Sequence, residues 1–276
     1  MRRLIIRPGA IGDCILCFPA LRHLRTEYTE LWISSPVVPL VDFSDTVRPL
    51  ASTGLDLVGV GDLEIPAFLE QTIRSFDSIV SWYGANRPPF REAVTSLGVP
   101  CNFYNALPPA DFSGHATDFF ARQVGAPDEL APRINVQPVP RRETIVIHPF
   151  SGSTRKNWPL ASYVELAKLM PLKVDWTCGP EEQLPEAMRF DNLRELAAWI
   201  AGARLYIGND SGITHLAAAV GVPAIAIFGP SSPDTWAPRG ENVRVLHSNP
   251  LDALSVREVL DVANRLLGTD LRGAAP

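Results

Sequence analysis

Lysine is nearly missing from this 276-residue chain. Of its 25 basic residues only Lys156, Lys168 and Lys173 are lysines, so a lysine in a polar loop stands out. Positive charge is not in surplus either: a formal net charge of −5 lacks the dense basic face that duplex binding needs, which argues against a nucleic-acid partner. No apolar run is long enough to span a bilayer, and the longest, residues 216–228, contains Pro223. The opening Met-Arg-Arg-Leu-Ile-Ile-Arg passes straight into a glycine turn, without the apolar region and cleavage site of a leader. The expected address is the cytoplasm, with peripheral membrane contact compatible.

Several motifs are missing too. Cysteine is sparse, and Cys14-Ile-Leu-Cys17 is the one C-x-x-C pair. Its spacing after a strand permits a redox reading. Its setting among Ile15, Leu16 and Phe18 favours plain burial. No second Cys or His pair has ligand spacing, so no metal site is expected. Neither G-x-G-x-x-G nor G-x-x-x-x-G-K-[ST] occurs, which removes the dinucleotide and Walker fingerprints. Nothing resembles G-x-S-x-G, so serine hydrolase chemistry has little support.

What the chain does have is 46% hydrophobic and 20% charged residues, the composition of a globular protein with a sizeable core. Short β-rich runs alternate with helical patterns, which predicts parallel sheets flanked by helices. Strands are expected at residues 3–7, 31–34, 57–60, 78–82 and 101–104. Helix begins at Gly12, with Pro19 breaking it or opening a second segment. Residues 126–142 hold Pro127, Pro132, Pro138 and Pro140 and read as a linker. After it come strands at 143–148, 173–178, 205–208 and 223–228. Asn192 with Glu195 and Ser255 with Glu258 have capping-box spacing, the second opening a final helix to about Gly268. The expected fold is α/β: two doubly wound lobes, 1–135 and 143–250, facing a cleft, then a segment 251–276 whose helix packs back on the first lobe. Ligands in such sheets sit beyond the strand C-termini, where strand order reverses.

Three strand-to-helix loops carry candidate chemistry. In Arg7-Pro8-Gly9-Ala10-Ile11-Gly12-Asp13, the Gly9 and Gly12 turn implies tight backbone and close approach. Asp13 at the helix start reads equally as a base facing the cleft or as a helix cap. The second loop runs His148-Pro149-Phe150-Ser151-Gly152-Ser153-Thr154-Arg155-Lys156-Asn157-Trp158-Pro159. Its hydroxyls, glycine and two cations before a helix N-terminus are the parts of a diphosphate site. The third, Gly208-Asn209-Asp210-Ser211-Gly212-Ile213-Thr214-His215, offers another helix N-terminus, with Asp210 or Ser211 as cap. His215 shares a helix face with Ser211, which suits a phosphate role or a structural one.

Together these loops, with Gly221-Val222-Pro223 and Phe228-Gly229-Pro230, resemble glycosyltransferase family 9, the bacterial ADP-heptose:lipopolysaccharide heptosyltransferases. The resemblance implies GT-B architecture, with two Rossmann-like lobes, the acceptor on the N-terminal one and the donor on the other. It implies an inverting transfer without metal or other cofactor, from a nucleotide sugar, an ADP-sugar above all, to a saccharide or glycolipid hydroxyl at the cytoplasmic face of the inner membrane. By matched position Asp13 would be the general base, and Ser151 and Lys156 would hold the diphosphate. Glu181, in Cys178-Gly179-Pro180-Glu181, would bind ribose and Asp210 the transferred sugar, while Ser211, Gly212 and His215 approach the phosphates. Phe150 stands where the family often has glycine. A catalytically idle sugar-nucleotide-binding protein and a nucleotide-sugar epimerase of the same fold are the alternatives.

Overall fold

Aliphatic and β-branched runs spaced along the chain form two separate parallel sheets. The computed structural model describes residues 1–61, 64–137 and 139–268. Pro138 of the expected linker and residues 269–276 of the expected final segment lie outside these. The chain divides into two units: Met1–Phe112 with Ala116–Leu130, and Ser113–His115 with Ala131 onward.

In the first unit, β1 (Arg2–Arg7), β2 (Tyr28–Ile33), β3 (Thr46–Pro49), β4 (Ser78–Ser81) and β5 (Cys101–Phe103) align in the order β3-β2-β1-β4-β5. β1 buries Leu4, Ile5 and Ile6 in succession, the pattern of a central strand covered on both faces. Its core joins Leu4 and Ile6 to Trp32, Ile79 and Phe90, and to Leu69 and Ile73 of α2 (Ala67–Arg74) and Val94 of α3 (Pro88–Ser96). The unit's other helices are α1 (Ile11–His23) and α4 (Ala116–Gln123).

Two local expectations fail here for identifiable reasons. α1 runs unbroken through Pro19. An interior proline costs about 3 kcal/mol, but residues 14 to 21 are all buried, and each large apolar side chain contributes roughly 1.5–3 kcal/mol. Residues 57–60 form no strand. Gly54 and Gly59 take left-handed φ of 74° and 69° on either side of a 3₁₀ turn at Leu55–Leu57, which no extended run accommodates. A Cβ on Gly59 would meet the Phe90 main-chain nitrogen at 2.6 Å. The edge position is filled by β3, which pairs with β2.

The second unit repeats the plan. β6 (Thr144–His148), β7 (Lys173–Trp176), β8 (Leu205–Asn209), β9 (Ala224–Phe228) and β10 (Val243–His247) align as β10-β9-β8-β6-β7, all parallel. Around them lie α5 (Leu160–Leu169), α6 (Leu193–Ala201), α7 (Gly212–Ala219), the short α8 (Pro233–Trp236) and α9 (Val256–Leu267). Ser255 and Glu258 complete a reciprocal capping box at α9. Asn192 caps α6 by accepting from the Arg194 and Glu195 N–H groups, but Glu195 takes the Asn192 side-chain amide and not its main-chain N–H, so that box is half made. The final helix buries Val259, Leu260, Ala263 and Leu267 in the core of the second unit, with Ile145, Ile207 and Leu166. Its strongly one-sided apolar face finds its cover there.

Each sheet has one point where strand order reverses: beside β1 and β4 in the first unit, beside β6 and β8 in the second. The first candidate loop leaves β1. The second and third leave β6 and β8, which are paired at His148 and Gly208.

Candidate functional site

In the first unit, Gly9 adopts φ 129°, a conformation reserved for glycine, and the Ser34 hydroxyl at the end of β2 donates to its carbonyl at 2.6 Å. Gly12 lies in the first turn of α1, partly buried. The N-cap is Ala10, which has no polar side chain, so α1 begins without the usual cap. Asp13, at the third helical position, reaches back to accept from the Ala10 N–H at 3.3 Å. Asp13 therefore serves the helix start from inside the first turn. The bond is long, and a carboxylate has lone pairs beyond the one it uses. Capping and base chemistry are compatible.

The cysteines of this helix are inert. Burial pushes the Cys14 thiol up to about 11 and that of Cys17 to about 12. Neither forms thiolate near neutrality, which removes the redox reading.

In the second unit the β6 and β8 loops are locked together by one fully buried side chain, Asn209. Its Oδ1 accepts from the Trp158 N–H and the Tyr163 hydroxyl, both at 2.9 Å, and its Nδ2 donates to the Pro149 carbonyl at 2.8 Å. Both ends of the loop bearing Ser151 and Lys156 are thus pinned to the end of β8. Within that loop the Ser151 Oγ lies 2.8 Å from the Ser153 carbonyl and from Asn157 Oδ1, closing a tight turn. Lys156 Nζ meets Asp210 Oδ2 at 2.7 Å, with Asp210 buried and Lys156 half-exposed. Ser211 is the N-cap of α7, Gly212 its first residue, and the Ser211 Oγ accepts from the Thr214 N–H at 3.4 Å.

His215 is buried, and its pKa falls to about 4: burial lowers it most, and His115 and Lys156 add to this against the opposing pull of Asp210. The ring is neutral at physiological pH. It can offer a phosphate an N–H but no charge.

One sequence-expected residue sits apart from these contacts. Glu181 is exposed, whereas Glu182 is the carboxylate turned into the β6 side of the unit. Glu182 Oε2 accepts from the Gly179 N–H at 2.5 Å and lies 3.3 Å from His148 Nε2. Burial raises the Glu182 pKa, but the bonds from His148 and Gly179 and the nearby His148 and Arg189 charges outweigh it, holding the carboxyl below its ordinary value. His115 was also missed: it belongs to the second unit and donates from Nε2 to the Ala237 carbonyl at 2.7 Å. No sequence signal tied a residue before α4 to that unit. Among the described residues no group of three or more His, Cys, Asp or Glu side chains could hold a metal, and no helix is long and apolar enough to cross a membrane.

The family model for glycosyltransferase family 9 (heptosyltransferase) matches residues 126–263, half of the chain, including the loops after β6 and β8 just described. The chain belongs to glycosyltransferase family 9. Lipopolysaccharide heptosyltransferase 2 of Escherichia coli K12 is 45% identical over 111 residues, covering 33% of this chain and 32% of that protein. Lipooligosaccharide heptosyltransferase 2 of Haemophilus influenzae is 30% identical over 123 residues, covering 37% and 36%. These alignments span about a third of the length of the relatives. Among solved structures, E. coli heptosyltransferase WaaC with ADP matches with a TM-score of 0.69 at 18% identity, covering 96% of this chain and 100% of that one. That likeness shows the fold, the GT-B class of two Rossmann-like lobes.

Proposed function

We propose that this family 9 chain is an inverting, metal-independent glycosyltransferase that moves heptose from ADP-heptose to a hydroxyl of a lipopolysaccharide-core-like acceptor. The observation that carries the donor half is the pinned loop pair at the reversal point of the second sheet. It offers a cation, a helix N-terminus and a buried carboxylate side by side. The names of the relatives support heptose and lipopolysaccharide.

In this reading Lys156 keeps one N–H on Asp210 and gives another to a phosphate oxygen, which an ammonium with three donors can do. Ser151 and the Ser211-Gly212 backbone hold the remaining oxygens, and neutral His215 adds an N–H donor. These fixed dipoles stabilise charge that grows on the diphosphate as it leaves. Asp210 accepts from sugar hydroxyls, and Glu182, in the place first given to Glu181, accepts from the ribose. On the acceptor side Asp13 takes the hydroxyl proton. That oxygen attacks the anomeric carbon, the bond from carbon to the phosphate oxygen breaks, and ADP departs with its electron pair, leaving the anomeric centre inverted. A base so placed is worth roughly 10²–10⁴-fold in rate. Peripheral contact with the inner membrane follows if the acceptor is lipid-linked.

Calorimetric titration with ADP, UDP and GDP in excess EDTA tests the donor class and the metal together. Preferential binding of ADP is expected; equal binding of all three, or none until a divalent cation is restored, would contradict the proposal.

A further inference from the structure

The end of β6 holds a buried histidine that the reaction outlined above leaves without a task. His148 is the last residue of that strand and pairs in register with Gly208 of β8. Its ring is buried, with Nε2 3.3 Å from Glu182 Oε2. Nδ1 is buried as well and has no hydrogen-bond partner among the described residues. A ring nitrogen stranded in this way is unfavourable, and phenylalanine or leucine would fill the space without it. What those side chains lack is the hydrogen on Nε2. It belongs on that nitrogen, because a bare ring nitrogen would repel the carboxylate oxygen it faces.

The carboxylate on the other side is held by one oxygen only. The Glu182 main chain is fixed: its N–H donates to the Gly179 carbonyl at 3.2 Å, and its carbonyl accepts from Arg189 Nη2 at 2.6 Å. In the side chain, Oε2 accepts from the Gly179 N–H, and a Cβ on Gly179 would sit 3.3 Å from that oxygen. The last torsion of a glutamate is soft, so a carboxylate with a single hydrogen bond can pivot about it. A second donor, coming from β6, removes that freedom. Among the described residues Oε1 accepts no hydrogen bond, and the side chain is 25% exposed, so a ligand can reach it.

We propose that His148 is a positioning residue for nucleotide binding: its Nε2–H fixes Glu182 Oε2, so that Oε1 is presented in a set orientation to a ribose hydroxyl. This rests on the reading of Glu182 as the ribose acceptor. An acceptor oriented before the ligand arrives spares the cost of ordering a mobile side chain on binding. The benefit exists only for a ligand that has the hydroxyl.

The test compares ADP with 2′,3′-dideoxy-ADP by calorimetric titration of the full chain. The wild type should bind ADP about 3–10-fold more tightly. In H148F that ratio should fall to near one through weaker ADP binding, with the affinity for dideoxy-ADP kept. In H148Q, whose amide can replace the Nε2 donor, the ratio should stay near the wild-type value. A histidine that only fills space would affect both nucleotides alike. An unchanged ratio in H148F, or a ratio lost in H148Q as fully as in H148F, therefore overturns the proposal. H148L is a second apolar variant should H148F not fold. Should neither fold, imidazole ¹⁵N NMR of the wild type decides: Nε2 should carry hydrogen, and a bare Nε2 overturns the proposal. E182Q separates the two layers. Its amide oxygen can stay on the His148 and Gly179 donors and turn the NH₂ outward, so its ratio should also fall to near one. A ratio lost in E182Q but kept in H148F removes His148 alone. A wild type that does not distinguish the two nucleotides, or an E182Q that still does, removes the ribose reading and with it the purpose assigned to His148.

Discussion

In the first unit the turn after the central strand β1 carries a carboxylate, Asp13, whose main-chain carbonyl accepts from the buried Arg7. In the second, the turn after β6 carries Lys156 on a loop whose two ends are held by Asn209, with Asp210 closing on it. Both turns lie where strand order reverses in sheets of the same plan. Topology thus supplies the place twice, and under the proposed function the side chains divide the chemistry: one turn would accept a proton, the other would hold an anion. Anions suit the second because its cation is half-exposed and reachable; the cation of the first is sealed beneath its own backbone.

The sharpest way to break this division is Asp13→Asn. Turnover should fall by about 10²–10⁴-fold, while the stability of the second unit is untouched. Near wild-type turnover would leave Asp13 as a helix-start residue only. Lys156→Ala should weaken ADP binding by about 10–100-fold, since it removes a charge-assisted contact of roughly 1.5–3 kcal/mol. Unchanged ADP affinity would take Lys156 out of the site.

Glu182→Gln against Glu181→Gln sharpens the donor side further. The first should weaken ADP binding about 3–10-fold, as a hydrogen bond worth roughly 0.5–1.5 kcal/mol is impaired, and the second should do nothing. The reverse order would restore Glu181 to the ribose.

A further effect concerns pH. The unfolded chain takes up a proton on His215 at its ordinary 6.5, the folded chain only at about 4. Stability from this source is complete above pH 6.5 and is lost as pH falls toward 4. Denaturant melts from pH 7.5 to 5 should show that decline in the wild type and a shallower one in His215→Gln. Parallel curves would mean that the imidazole is not held neutral.

Much of this was legible in the sequence because it rests on local signals. Alternating β and α patterns gave two parallel-sheet lobes, and the glycine and hydroxyl content of the loops pointed to the ends of β1, β6 and β8. Losses came where distant packing decides. Residues 57–60 look like a strand by composition, yet Gly59 must clear the Phe90 backbone, a contact between residues 31 apart in sequence. β10 escaped notice because its side chains are mostly exposed and its apolar pattern is weak. Asn209 read as one member of a polar turn; its three bonds to residues 46 to 60 positions away are visible only in three dimensions. Arg7 likewise reads as an ordinary strand end until its complete burial is known.

The most direct check of the division between the units is ADP titration into D13N and K156A side by side. D13N is expected to bind ADP as the wild type does, and K156A at least about tenfold more weakly. Equal losses in both variants would contradict the assignment of proton chemistry to the first unit and anion binding to the second.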